Sequence, residues 1–290
     1  MRRQRVASGA LVGAVWLGLA ALVAPPSAAT PSDAPSAAPL VDPLGRQLGR
    51  DARDPSADPV PTPPVTPSQQ EAPVPEPTPE PAPEPPAPGP DCAVLACVAL
   101  TFDDGPGDYT ALLLDDLAAR GVPATFFVLG SQVDKHPDIV ARMAAEGHAV
   151  GNHSWSHPRL TTLSAEEAGW QIDATTTIVQ QTTGTTPTLV RPPYGVSNDT
   201  VLAVLAERGA AAIMWSVDTE DWRNRDVEIT TQRALEGTEP GAIILMHDIH
   251  PTSVQAVPGI VDQLQAAGYT LVTVPELLGP TTPGQLYRNR

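Results

Sequence analysis

The sequence predicts an α/β domain whose parallel strands curl into a closed or nearly closed barrel. Three observations carry that expectation. From about residue 97 onward, short β-prone apolar runs alternate with helix-like stretches. Five of those runs end in clusters of reactive side chains, which a barrel would gather at one mouth. A doubly wound open sheet would also gather strand ends, but around a switch point and with a glycine-rich phosphate loop, and no G-x-G-x-x-G or Walker sequence is present.

Taken in order, residues 1–29 read as an export signal: a basic start, an apolar run from Ala10 to Ala24, then Ser27-Ala28-Ala29 as a cleavage site. The alternative is an uncleaved N-terminal membrane anchor, against which the run is short of the roughly 20 apolar residues a span needs. Residues 30–90 are dominated by Pro, Ala, Ser, Thr and acids. Proline at that density cannot sustain ladders or a core, so the segment reads as a solvated, disordered spacer. Residues 91–280 read as one domain long enough for a sizeable core, and 281–290 as a C-terminal tail.

The 290-residue chain has a formal net charge of −16, and loss of Arg2, Arg3 and Arg5 with the signal makes this −19. Such a chain is not expected to bind nucleic acid or an anionic membrane surface. A neutral polymer or small solute fits better, and no stable protein partner is indicated, so a monomer is expected. Cys92 and Cys97 are the only cysteines. In an exported chain such a pair predicts a local disulfide tying the start of the domain to its first strand, and it excludes a zinc site of four cysteines.

Within the domain, VALTF precedes YTALLLDDLAARG, whose leucine spacing and closing Gly121 predict an amphipathic helix with its C-cap. ATFFVLG precedes a helix over roughly 135–146. AVGNH precedes another, opened by Ser164 with Glu167 three later as a capping box. LVRPPYG precedes SNDTVLAVLAERG, and AAIMWSV, AIILMHD and YTLVTV continue the alternation.

Asp103 and Asp104 end the first run with no cation nearby in sequence to hold both ionised. His153 and His157, four apart, can face the same side in a helix or turn, where a divalent metal would bridge them. Two satisfied surface histidines are the plainer alternative. A metal there would take one of the aspartates as third ligand and let the other stay ionised as a base beside its water. Spacing alone does not say which is which. His247 supplies a proton donor, and no G-x-S-x-G nucleophile is present, so direct attack by water is favoured. His136 and His148 read as exposed or capping residues, Asp115 and Asp116 as a solvated helix face, and Asp248 as a support for its neighbour. His250 reads as a candidate groove residue, and Trp155 and Trp215 as either core or sugar platforms.

The ordered set TFDDG, H-S-x-x-H, R-x-P-Y, D-x-x-D-W and L-x-H resembles the polysaccharide deacetylase family, the NodB homology domain of carbohydrate esterase family 4, over about 97–278. The resemblance implies a distorted (β/α)7 barrel. It implies that Asp104, His153 and His157 hold a divalent metal, usually zinc, with cobalt or nickel also suited to the donor set. It further implies Asp103 as base held by Arg191, His247 as general acid oriented by Asp221, and the Tyr194 backbone N–H as an oxyanion donor. Trp222 and Leu245 would wall the acetyl pocket. The implied activity is exported polysaccharide N-deacetylation, on peptidoglycan first, with chitin oligosaccharides or acetylated xylan as alternatives. A barrel that binds glycan without catalysis is a further, weaker alternative.

Overall fold

The structure, a computed structural model, describes residues 89–290. The signal segment and all but the last two residues of the spacer lie outside the described residues. Among the described residues, no helix is long and apolar enough to cross a membrane.

The alternation read in the sequence is the fold. In chain order the elements are β1 (Cys97–Asp103), α1 (Thr110–Arg120), β2 (Thr125–Val128), α2 (Gly130–Val133), α3 (Pro137–Ala145), β3 (Ala149–Asn152), α4 (Ala165–Thr183), β4 (Leu189–Val190) and α5 (Asp199–Glu207). They continue with β5 (Ala211–Ile213), β6 (Val217–Asp218), α6 (Asp221–Asn224), α7 (Val227–Glu236), β7 (Ile243–His247), α8 (Pro251–Ala266), β8 (Thr270–Leu271), α9 (Val274–Leu278) and β9 (Leu286–Tyr287). The strands pair in the order β6-β7-β1-β2-β3-β4-β5-β9, with β8 beside the start of β1, and every ladder between them is parallel. Among the described residues no ladder joins β6 to β9, so the barrel is partly open.

All seven residues of β1 are buried, because helices cover one face and the barrel interior occupies the other. The two-residue period then sorts them. Val98, Leu100 and Phe102 pack outward with Leu113, Leu117, Ile244 and Met246. Cys97 and Ala99 point inward to Phe127, Ile213 and Ile243. The same alternation carries Asp103 to the interior at the end of β1, in register with His247 at the end of β7.

The predicted helix signals are present. Gly121 is left-handed at the C-cap of α1 with φ 61, and its N–H bonds to the carbonyls of Leu117 and Ala118. Ser164 and Glu167 form the capping box of α4. Asp115 and Asp116 face outward, paired with Arg142 and Arg120. The Cys92–Cys97 disulfide is formed.

Two expectations need correction. Residues 281–290 are not a loose tail. Leu286 and Tyr287 pair with Ala212 and Ile213, Asn289 bridges to Ala242, and the Arg290 N–H reaches the Gly241 carbonyl. A two-residue strand has too few positions to display a period. His148 is buried rather than exposed, because its ring edges against Phe126 and its Nδ1 accepts the Ala124 N–H at 3.0 Å.

Candidate active site

Asp103 is buried, and its Oδ1 accepts a 2.7 Å hydrogen bond from Arg191 Nη1. Arg191 follows β4 and has no exposed surface. Its remaining donors go to the Ile213 and Met214 carbonyls and to Thr101 Oγ1, and its guanidinium lies 4.1 Å from the centre of the Phe127 ring. Each of the three guanidinium nitrogens thereby has an acceptor. Burial pushes the Asp103 carboxyl upward against the opposing charge of Arg191, which makes the carboxylate a stronger base than one in water.

Asp104 turns away from the strand at φ 74. Its Oδ1 is buried without a hydrogen-bond partner, and the Nε2 atoms of His153 and His157 each lie 3.5 Å from it. The histidines sit on a turn after β3, not on a helix, and the Ser154 hydroxyl accepts the His157 N–H. His153 Nδ1 faces the Arg191 carbonyl at 2.6 Å, which fixes that nitrogen as the protonated one and leaves the Nε2 lone pair facing Asp104. Burial lowers the His153 pKa to about 3, so the ring is neutral and its approach to Asp104 is not an ion pair. One ligand atom from each of the three residues falls within 4.8 Å of the others. An orphaned carboxylate oxygen facing two imidazole lone pairs fits a divalent cation well.

On the other side of Asp103 lies His247. Its backbone N–H donates to Asp221 Oδ2 and its Nδ1 to Asp221 Oδ1, both at 2.8 Å. Desolvation pulls the imidazole toward neutrality, but the hydrogen bond and charge of Asp221, aided by Asp103 and Asp104, outweigh it and raise the pKa to about 9. His247 is therefore protonated at neutral pH.

Both groups open into one cavity of about 340 Å³, which Tyr194, Trp222 and Leu245 also line. Trp215, Gly195 and Asp218 complete it. Gly195 has a physical requirement, since a Cβ there would sit 2.4 Å from the Trp215 ring. Sequence reading left Trp215 open between core and platform and gave Asp218 no role, although both sit in the cluster after β5. Arg159 was missed entirely: its guanidinium lies 4.8 Å from the centre of the Tyr194 ring, itself 4.5 Å from His157. Asp248 is buried and accepts the Thr110 hydroxyl, as a support behind the Asp104 turn would. His250 stands 6.3 Å from His247, ring to ring, but is not part of the lining. Trp155 packs against Trp170. Asp104, Ser154, His157, Tyr194, Glu220 and Arg225 are the non-glycine residues with left-handed φ among those described; Asp104, His157 and Tyr194 line this cavity, and Glu220 and Arg225 flank α6, which carries Trp222.

A model of the polysaccharide deacetylase family matches residues 94–213. The solved T48 deacetylase with substrate superimposes with a TM-score of 0.66 at 45% identity, covering 69% of this chain and 100% of that one. The chain belongs to the polysaccharide deacetylase family. Two curated members are similar in sequence. The peptidoglycan-N-acetylglucosamine deacetylase PgdA of Listeria monocytogenes is 48% identical over 183 residues, which is 63% of this chain and 39% of PgdA. The chitooligosaccharide deacetylase of a Bradyrhizobium species is 37% identical over 196 residues, 62% of this chain and 90% of that protein. The chain thus spans about two-fifths of the PgdA length. The partly open parallel barrel is the family's fold, as the ordered motifs imply.

Proposed function

We propose that this chain is an exported, metal-dependent N-deacetylase acting on polymers containing N-acetylglucosamine, peptidoglycan first. The carrying observation is the convergence, in one cavity, of Asp103, held by Arg191, and His247, held by Asp221, with the Asp104, His153 and His157 cluster. The activity for which PgdA is named supports peptidoglycan as substrate, and that of the Bradyrhizobium relative supports chitooligosaccharides as the second reading. Acetylated xylan is a third, with the same chemistry.

Asp104, His153 and His157 would hold the metal, zinc first and cobalt or nickel as alternatives suited to two imidazoles and a carboxylate. A metal there would polarise the acetyl carbonyl and acidify a water. Asp103 takes the proton of the attacking water, with Arg191 fixing its orientation. The backbone N–H of Tyr194 meets the oxygen that gains charge as the carbonyl carbon becomes tetrahedral. Imidazolium His247 gives its proton to the amide nitrogen as the C–N bond breaks, so that acetate and a free amine leave. Leu245 and Trp222 enclose the methyl group.

Acetate release from peptidoglycan, chitin oligomers and acetylated xylan, measured in parallel with the metal exchanged, tests this reading. Metal-dependent release from peptidoglycan at the highest kcat/KM is expected. Full turnover after chelation and desalting would reject the metal, and no release from any substrate would reject the activity. The N-terminal export signal belongs to the same proposal, and mature protein beginning near Thr30 outside the cell would support it.

A further inference from the structure

The chain carries 33 Asp and Glu against 17 Lys and Arg, so the positions of its uncompensated cations are informative. Arg120, Arg142, Arg191, Arg208, Arg223 and Arg233 each have a carboxylate oxygen within ion-pair distance. Among the described residues Lys135, Arg159, Arg225, Arg288 and Arg290 have none, and of these Arg159 and Arg225 adjoin the cavity through Tyr194 and Trp222.

Arg159 is exposed and rests on the Tyr194 ring, beyond the metal-ligand side of the cavity. Stacking of this kind holds a guanidinium flat and leaves its N–H edge free for a carboxylate. Arg225, also exposed, donates Nε to the Trp222 carbonyl at 2.6 Å, which leaves its two terminal nitrogens uncommitted. Trp222 lines the proton-donor side. In the sheet, β3 and β4 lie on one side of β1, and β7 and β6 on the other, so the two arginines flank the mouth from opposite directions. The nearby acids are committed elsewhere: Asp218 accepts the Glu220 N–H, Asp226 caps α7, and Glu220 pairs with Arg223 and Arg233.

A linear glycan whose target sugar is seated over the cavity must pass both flanks. We propose that Arg159 and Arg225 bind carboxylates on the saccharide units either side of the sugar being deacetylated, so that the groove selects an acidic glycan. In a polymer alternating N-acetylglucosamine with its lactyl ether, the neighbours carry a free carboxylate wherever no peptide is attached to the lactyl group; in chitin they are neutral. This deepens the deacetylase reading above and rests on it for the identity of the seated sugar.

The test uses the full chain with Arg159→Gln and Arg225→Gln, singly and together, and Arg159→Lys. Substrates are alternating glycan strands with free lactyl carboxylates, the same strands amidated, and chitopentaose. Acetate release gives kcat and KM, and calorimetry gives Kd independently of turnover. For the free-acid strands, KM and Kd should rise about three- to fivefold per arginine and about tenfold or more together, as expected for exposed charge pairs. Amidated strands and chitopentaose should be unaffected, kcat should hold, Arg159→Lys should recover part of the loss, and added salt should erase the preference. Equal losses on neutral and acidic strands, or unchanged Kd in the double variant, would overturn the proposal. Wild-type protein that binds the acid strands in an arginine-dependent way yet releases no acetate would instead overturn the deacetylase reading and leave the carboxylate site standing.

Discussion

Replacing Asp221 with Asn isolates what the buried carboxylate does for His247. The imidazole pKa stands at about 9 against an ordinary 6.5. That difference corresponds to roughly 3 kcal/mol favouring the imidazolium. Asp103 and Asp104 still oppose desolvation in the variant, so losing the charge and hydrogen bond of Asp221 should carry the pKa down toward the ordinary 6.5. At pH about 7.5 the protonated fraction would drop from nearly all to about a tenth, and kcat on N-acetyl substrates should fall about tenfold. The alkaline limb of the rate profile should move down past neutrality. Activated O-acetyl esters, whose leaving groups need less protonation, should lose less. Stability supplies a second readout. Because folding raises the His247 pKa, its contribution is fully present below about pH 6.5 and fades as pH rises through about 9. The variant should lack that decline. An alkaline limb that stays near pH 9, with equal losses on amides and esters, would refute His247 as the proton donor.

Three other outcomes follow from the same geometry. Asp103→Asn should keep metal and lose turnover by orders of magnitude, whereas Asp104→Asn and His153→Ala should lower metal content by elemental analysis in a still-folded domain. Arg191→Met leaves Asp103 buried without its cation and should cost about 3–5 kcal/mol in denaturant unfolding. Deleting residues 281–290 removes β9 and its hydrogen bonds to Ala210, Ala212 and Met214, and should lower the midpoint of thermal unfolding, where a loose tail would leave it unchanged.

The sequence displayed the parts of the site that end strands. Asp103 and His247 close apolar runs, which places them at one mouth, and the ordered motifs supplied roles for them and for their partners Arg191 and Asp221; which way each points followed only from the sheet register. What stayed hidden depends on through-space packing. Arg159 stands two residues after His157 and looks like any exposed arginine until Tyr194 is placed beneath it. His148 follows a helix-ending glycine, a position that reads as surface, and only the fold of β2 beside β3 buries it. The barrel's incomplete closure and its use of the last residues were illegible because Leu286–Tyr287 is too short for any periodic signal.

The left-handed residues around the mouth bear on how this domain would respond to engineering. Outside glycine, such a conformation costs roughly 1–2 kcal/mol per residue, which the surrounding contacts must offset. Here Asp104, His157 and Tyr194 accept it while supplying a carboxylate, an imidazole and a backbone donor, and Glu220 and Arg225 bracket the short helix that carries Asp221 and Trp222. A search for thermostable variants would be drawn to these positions, because glycine relieves the strain wherever the side chain is dispensable. Ser154, whose hydroxyl only holds the His157 backbone, is the most tempting. A heat-selected library would thus drift toward a sturdier barrel with a blunted mouth, and selection for turnover would have to accompany selection for heat from the first round.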